Sequence, residues 1–153
     1  MVEQQRVIVS LSRPEVDSRV VRTAIEIARA LDAVLYAVDV QEPRPSPGTV
    51  RDGPPRIQDA YFTLSKSGGL PDDVDVRIVV TQGEPGPALV RLADRHTDLL
   101  VVGRGSDGGA LGPVARACVE GATCPVVVVP PGGSRLDAEP TRRVEEYAAP
   151  ARV

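Results

Sequence analysis

The 153-residue sequence holds one histidine, two cysteines, a single lysine (Lys66), four aromatic side chains and no tryptophan. Each scarcity removes a class of function. A tetrahedral zinc site takes four Cys or His ligands, whereas His96, Cys118 and Cys124 are three and scattered. The same two cysteines are too few and too close together for the disulfide framework of a secreted domain. Tyr36, Tyr61, Phe62 and Tyr147 are too few for the stacking platform that single-stranded nucleic acid requires. Basic charge is not in surplus: 18 Lys and Arg stand against 21 Asp and Glu, a net charge of −3. Affinity for nucleic acid comes mostly from clustered cations, so no nucleic-acid partner is expected. No apolar run approaches the ~18–20 residues that cross a bilayer. The opening Met-Val-Glu-Gln-Gln-Arg6 lacks the apolar centre of a signal peptide. A cytoplasmic protein without a metal or a membrane contact is therefore expected.

What the chain does contain is a series of short β-branched runs separated by helical patterns. The runs are Arg6–Leu11, Ala33–Val40, Val74–Val80, Asp98–Val102 and Pro125–Pro130. The first, fourth and fifth are almost wholly apolar, as suits strands buried on both faces of a parallel sheet. From Asp17 to Leu31, residues Val20, Val21, Ala24, Ile27, Ala28 and Leu31 recur at spacings of three and four, with Asp17 or Ser18 as N-cap. Pro55 to Lys66 carries a second such pattern and stops at Gly68-Gly69. Pro87 opens a helix running to His96, and Pro113 opens one ending near Gly121. Alternation of strand and helix predicts an α/β fold, a doubly wound five-stranded parallel sheet with right-handed crossovers. The proline-rich stretch from Gln41 to Pro54 reads as a loop. Residues 133–153 read as a mobile C-terminal tail following a domain over residues 5–132.

Open α/β sheets bind ligands beyond the carboxyl ends of their strands. After the fourth run comes Gly103-Arg-Gly-Ser-Asp-Gly-Gly-Ala-Leu-Gly112, then the helix opened by Pro113. Glycines let backbone N–H groups turn inward, and a helix N-terminus adds partial positive charge, so an anion is the natural guest. Arg104 brings a full charge, and Gly105, Gly108 and Val114 belong to the same candidate site. A plain flexible connector is the competing reading. Gly103 to Gly108 also satisfies G-x-G-x-x-G, but that fingerprint belongs after the first strand, with an acidic residue ending the next. Here the next strand ends Val129-Pro130-Pro131, so a dinucleotide-dependent oxidoreductase is not supported.

Four segments together resemble the universal stress protein family: Val80-Thr-Gln-Gly-Glu-Pro-Gly-Pro-Ala-Leu-Val-Arg-Leu-Ala93, Thr97-Asp-Leu-Leu-Val-Val-Gly103, Gly112-Pro-Val-Ala115 and Cys124-Pro-Val-Val-Val-Val129. The resemblance covers residues 5 to 131. It implies a Rossmann-like sheet in the order 3-2-1-4-5, frequent homodimers and stress-linked regulation. In one subset it also implies ATP held by G-x2-G-x9-G-[S/T] after strand four, with an aspartate ending strand one. Matched residue by residue, that signature is damaged. The pattern places twelve residues between its outer glycines, and positions 104–111 supply eight between Gly103 and Gly112. The Ser or Thr after the last glycine is Pro113, which has neither a hydroxyl nor an N–H to offer. The strand-one aspartate falls near Ser12. ATP, or another adenine nucleotide, is expected to bind weakly or not at all.

In the implied order, strands three and five are edges. Strand three carries Asp75 and Arg77, which discourage edge pairing, whereas strand five is Val126, Val127, Val128 and Val129 with no such guard. A two-fold homodimer through strand five is therefore expected, alongside protein partners of unknown identity. Asp39 either faces the ligand cleft or caps nearby amides. Cys118 and Cys124 read as packed thiols and His96 as a surface residue at a helix end. No nucleophile–base set and no paired carboxylates emerge, so no catalytic residue is expected. The sequence reads as a non-catalytic stress-response regulatory module. The alternative is a nucleotide- or anion-sensing protein whose Gly103–Gly112 loop still binds adenine nucleotide.

Overall fold

A computed structural model describes residues 4–11, 18–41, 71–105 and 111–130. Within them the chain runs β1 (Arg6–Ser10), α1 (Ser18–Leu31), β2 (Val34–Gln41), β3 (Val76–Gln82), α2 (Pro85–Leu92), β4 (Leu99–Gly103), α3 (Pro113–Gly121) and β5 (Val126–Val129). The strands form one sheet in the order β3-β2-β1-β4-β5, every neighbouring pair parallel. Doubly wound sheets of this kind bury their central strands on both faces, which is why β1 and β4 are nearly continuous apolar runs. The expected Pro55–Lys66 helix, the loop beyond Gln41 and the C-terminal tail lie outside the described residues.

Alternation along the strands sorts the core into two layers. Val7, Val9, Ala37, Val101, Val127 and Val129 pack with α1 on one face. Ile8, Val38, Leu100, Val102, Val126 and Val128 pack with Leu89 of α2 and Cys118 of α3 on the other. The α1 stripe read from the sequence is confirmed at Val20, Val21, Ala24 and Ala28, all buried, but not at Leu31, which is 44% exposed. Leu31 is the last residue of α1, where Asp32 turns the chain away at a φ of 52°. The four valines of β5 are each no more than 3% exposed within one chain, so what this edge leaves open is its backbone, not its side chains.

The helix expected to reach His96 stops at Leu92. The cause lies at the amino end of the sheet. The Arg6 guanidinium donates to both carboxylate oxygens of Asp98, at 2.9 and 2.5 Å, and to the carbonyl of Leu92 at 3.1 Å. Asp98 in turn accepts from the backbone N–H of Arg95 and donates its own N–H to the Arg95 carbonyl. These bonds fix a tight turn where a longer helix would have run. Arg6 also pairs with Asp94 and stacks its guanidinium 5.5 Å from the Tyr36 ring centroid. Its hydrogen bond to Asp98 raises the Arg6 pKa above the ordinary arginine value, so the charge persists at any relevant pH.

Helices α2 and α3 lie close enough that a methyl group on Gly86 would sit 2.5 Å from the Ala117 Cβ. The small residue inside Glu84-Pro-Gly-Pro87 is thus a packing requirement between two helices as well as part of a helix start.

Candidate functional site

The carboxyl ends of β4 and β5 and the start of α3 are joined by a closed neck. Arg104 extends the β4 ladder by donating its N–H to the Val129 carbonyl at 2.8 Å. The Gly112 N–H then donates to the Arg104 carbonyl, also at 2.8 Å. Gly105 turns the chain with a φ of 92°, a conformation that favours glycine. The strands of the neck are so close that a Cβ on Gly105 would meet the Gly112 Cα at 3.2 Å. Gly103, Arg104, Gly105, Gly112 and Val114 therefore lie together at the carboxyl end of β4 and the start of α3. Gly108 and Ser12 lie outside the described residues.

The donor set at this neck is smaller than its glycines imply. The first four N–H groups of a helix have no acceptor within the helix. At α3 these belong to Gly112, Pro113, Val114 and Ala115. Gly112 has spent its N–H on Arg104, and Pro113 has none. Arg116 already bonds back to the Gly112 carbonyl. Val114 and Ala115 remain as donors aligned with the positive end of the helix dipole. Arg104, half-buried at the neck, brings a cation to the same edge.

Asp39 does not join this group. It sits on β2, two strands from β4, and shares the sheet face of Ala37 and α1, whereas α3 covers the opposite face. Its carboxylate accepts from the Gln41 side-chain amide at 3.2 Å. A carboxylate held at a strand end is the plainer of the two roles considered for it.

The thiols behave as packed groups. Cys118 and Cys124 are both buried and free. Burial pushes the Cys118 thiol from its ordinary 9.0 up to about 12 and the Cys124 thiol up to about 11, so both stay protonated at neutral pH. His96 is exposed in the turn before β4, at the end of the sheet away from the neck. Among the described residues no group of three His, Cys, Asp or Glu side chains is placed to hold a metal ion, and no helix is long and apolar enough to cross a membrane.

Two contributions were missed by sequence reasoning. The Arg6–Asp98 cluster carried no motif. The consumption of the Gly112 N–H could not be foreseen from a glycine that looks available.

Comparison with known proteins agrees with the fold. The model of the universal stress protein family matches residues 4–130. A universal stress protein of Methanocaldococcus jannaschii is 26% identical over 138 residues, spanning 82% of this chain and 81% of the relative. Among solved structures, a universal stress protein in complex with cAMP is 29% identical, with a TM-score of 0.53, over 82% of this chain and 96% of its own. A second, from Archaeoglobus fulgidus in complex with dAMP, is 23% identical, with a TM-score of 0.52, over 84% and 98% respectively.

Proposed function

The chain belongs to the universal stress protein family, and from that premise we propose that it is a non-catalytic stress-response regulatory module, assembled as a dimer, whose carboxyl-end loop grips ATP poorly. The observation that carries this reading is the hydrogen bond from the Gly112 N–H to the Arg104 carbonyl. A phosphate-binding loop works by turning such N–H groups toward the ligand. Here one is already satisfied inside the protein, and its neighbour Pro113 offers none. The loop between the outer glycines is also four residues shorter than the family's ATP-binding pattern.

A hydrogen bond to a charged group contributes about 1.5–3 kcal/mol, so one or two missing donors lower affinity roughly 10- to 10⁴-fold. Titration calorimetry with magnesium ATP is expected to give a Kd in the hundreds of micromolar or weaker. Low-micromolar binding would contradict the reading. Absence of catalysis is supported by two thiols held protonated in the core and by a single histidine remote from the neck.

Dimerisation is supported by the open backbone edge of β5. Bonds from Leu100 N–H to Pro125 O and from Arg104 N–H to Val129 O turn alternate β5 residues toward β4, leaving the N–H of Val128 facing outward. A lysine at Val127 would bury a charge and unfold the chain, so Val128→Pro is the better probe. It removes an outward donor without touching the β4 ladder. Light scattering at micromolar concentration should read a dimer for the wild type and a monomer for this variant. A monomeric wild type would refute the assembly.

The cAMP and dAMP complexes of similar proteins favour the second reading, in which this same loop still senses an adenine nucleotide of few phosphates.

A further inference from the structure

We infer that β5 takes a second copy of this chain in one register, with Val127 directly opposite its own counterpart on the two-fold axis and Val119 of each α3 turned toward the other. This rests on the reading of the β5 edge as the dimer surface and adds to it how the two copies meet.

The register follows from the backbone groups left open. Among the described residues β5 is the last strand of the sheet and pairs with β4 alone. The bonds from Leu100 N–H to Pro125 O and from Arg104 N–H to Val129 O turn Pro125, Val127 and Val129 toward β4. Val126 and Val128 therefore point their N–H and C=O groups away from it. A two-fold axis perpendicular to the sheet runs the second β5 antiparallel to the first. With Val127 on that axis, Val126 of each copy faces Val128 of the other. Each such pair exchanges two N–H···O bonds, so every outward group of these residues is satisfied. Moving the axis to Val128 sets Val126 against Pro130, which has no N–H, and leaves the Val126 carbonyl open. Moving it to Val126 sets Val128 against Cys124, which precedes Pro125 and lies outside the strand.

The side chains of α3 favour the same partner. Among the described residues Val119 and Leu31 are the large apolar side chains left exposed, Val119 by 38%. Ala115 and Cys118 of α3 are buried against the sheet, and Ala117 meets Gly86 of α2. At 100° per residue, Val119 stands on the flank of α3 opposite Ala117. Helix α2 reaches back over β2, whereas α3 lies over β4 and β5. The flank away from α2 is thus the one beside the open edge. The same axis keeps both α3 helices on one face of the joined sheet, so the two valines leave water together.

The test is disulfide trapping on the full chain, with Val126→Cys, Val127→Cys and Val128→Cys made singly and oxidised by excess small-molecule disulfide. Each cross-link joins two protein thiols while the small disulfide is reduced to two thiols. Cysteine is a small apolar replacement, so each variant keeps its buried position apolar. Directly opposed Cα atoms lie about 4.5–5.5 Å apart, within reach of a disulfide, whereas an offset of two residues takes them to about 7–8 Å. Val127→Cys is expected to give a covalent dimer, and the other two variants and the wild type are not. Val119→Lys sets two cations across the axis from an exposed site. It should weaken the dimer at least about tenfold on dilution in light scattering, with an unchanged circular dichroism spectrum. Trapping at position 126 or 128 instead, or a dimer that Val119→Lys leaves unweakened, overturns the inference and leaves dimerisation standing. A monomeric wild type, or a dimer trapped at none of the three positions, overturns both the inference and the reading beneath it.

Discussion

Arg6→Leu is expected to lower the stability of the domain by about 3–5 kcal/mol, the largest effect of any single substitution considered. Asp98 is 1% exposed and its carboxylate is neutralised by the two-pronged bond from Arg6. Removing the guanidinium leaves a buried negative charge with only the Arg95 N–H, at 3.1 Å, to hold it. The Leu92 carbonyl loses its partner at the same time, so the turn that ends α2 loosens. For a chain of this size a kilocalorie corresponds to about 2–4 °C, so the melting temperature should fall by about 10 °C. Arg6→Lys keeps a charge but not the planar fork, and should fall between the two. A loss below about 1 kcal/mol for Arg6→Leu would mean that water reaches Asp98 and the pair is not a structural clamp.

The second large effect is expected at the α2–α3 contact. Gly86→Ala would place two Cβ atoms 2.5 Å apart, whereas carbon atoms rest at about 3.5–4.0 Å. Both atoms are fixed to helix backbones, so the helices must separate rather than a side chain rotate. Overpacking of this kind costs about 1–3 kcal/mol, partly offset by the better helix propensity of alanine. The melting temperature should drop by about 2–8 °C. Ala117→Gly removes the opposing methyl group, and in the Gly86→Ala background it should restore part of the loss. A double-mutant cycle by thermal melts measures that coupling directly. Additive losses would show that the two residues do not meet.

How much of this was legible in the sequence depends on whether the determining contact is local. The β1, β4 and β5 runs announced themselves because a parallel strand buried on both faces has to be apolar throughout. The stripe of α1 did so because burial on one side imposes the helical period. Arg6 and Asp98 could not be read in this way. Each stands at the mouth of an apolar run and looks like a solvated strand end. Only the adjacency of β1 and β4, with Val7 opposite Leu99, brings them together. That same pairing explains why α2 stops at Leu92 although its sequence would continue.

Gly86 is a similar case, since its neighbour Ala117 is distant in sequence and invisible to any local pattern. The valines of β5 were legible as a buried strand. Their unbroken apolar character matches burial on both faces, where α1 on one side and α3 on the other take part in covering them. At the site, the glycine spacing and Pro113 were legible as departures from an ATP loop. The bond that closes the neck was not, because a backbone N–H carries no sequence signature of where it is spent.

The most direct test of the central claim is the exchange behaviour of the Gly112 amide, followed by NMR while AMP is added. The closed neck predicts that this amide is protected from hydrogen exchange in the free protein and stays so with ligand bound. The amide signals of Val114 and Ala115 should move most on titration. A Gly112 amide that exchanges freely, or that shifts as the principal contact when nucleotide is added, would contradict the account.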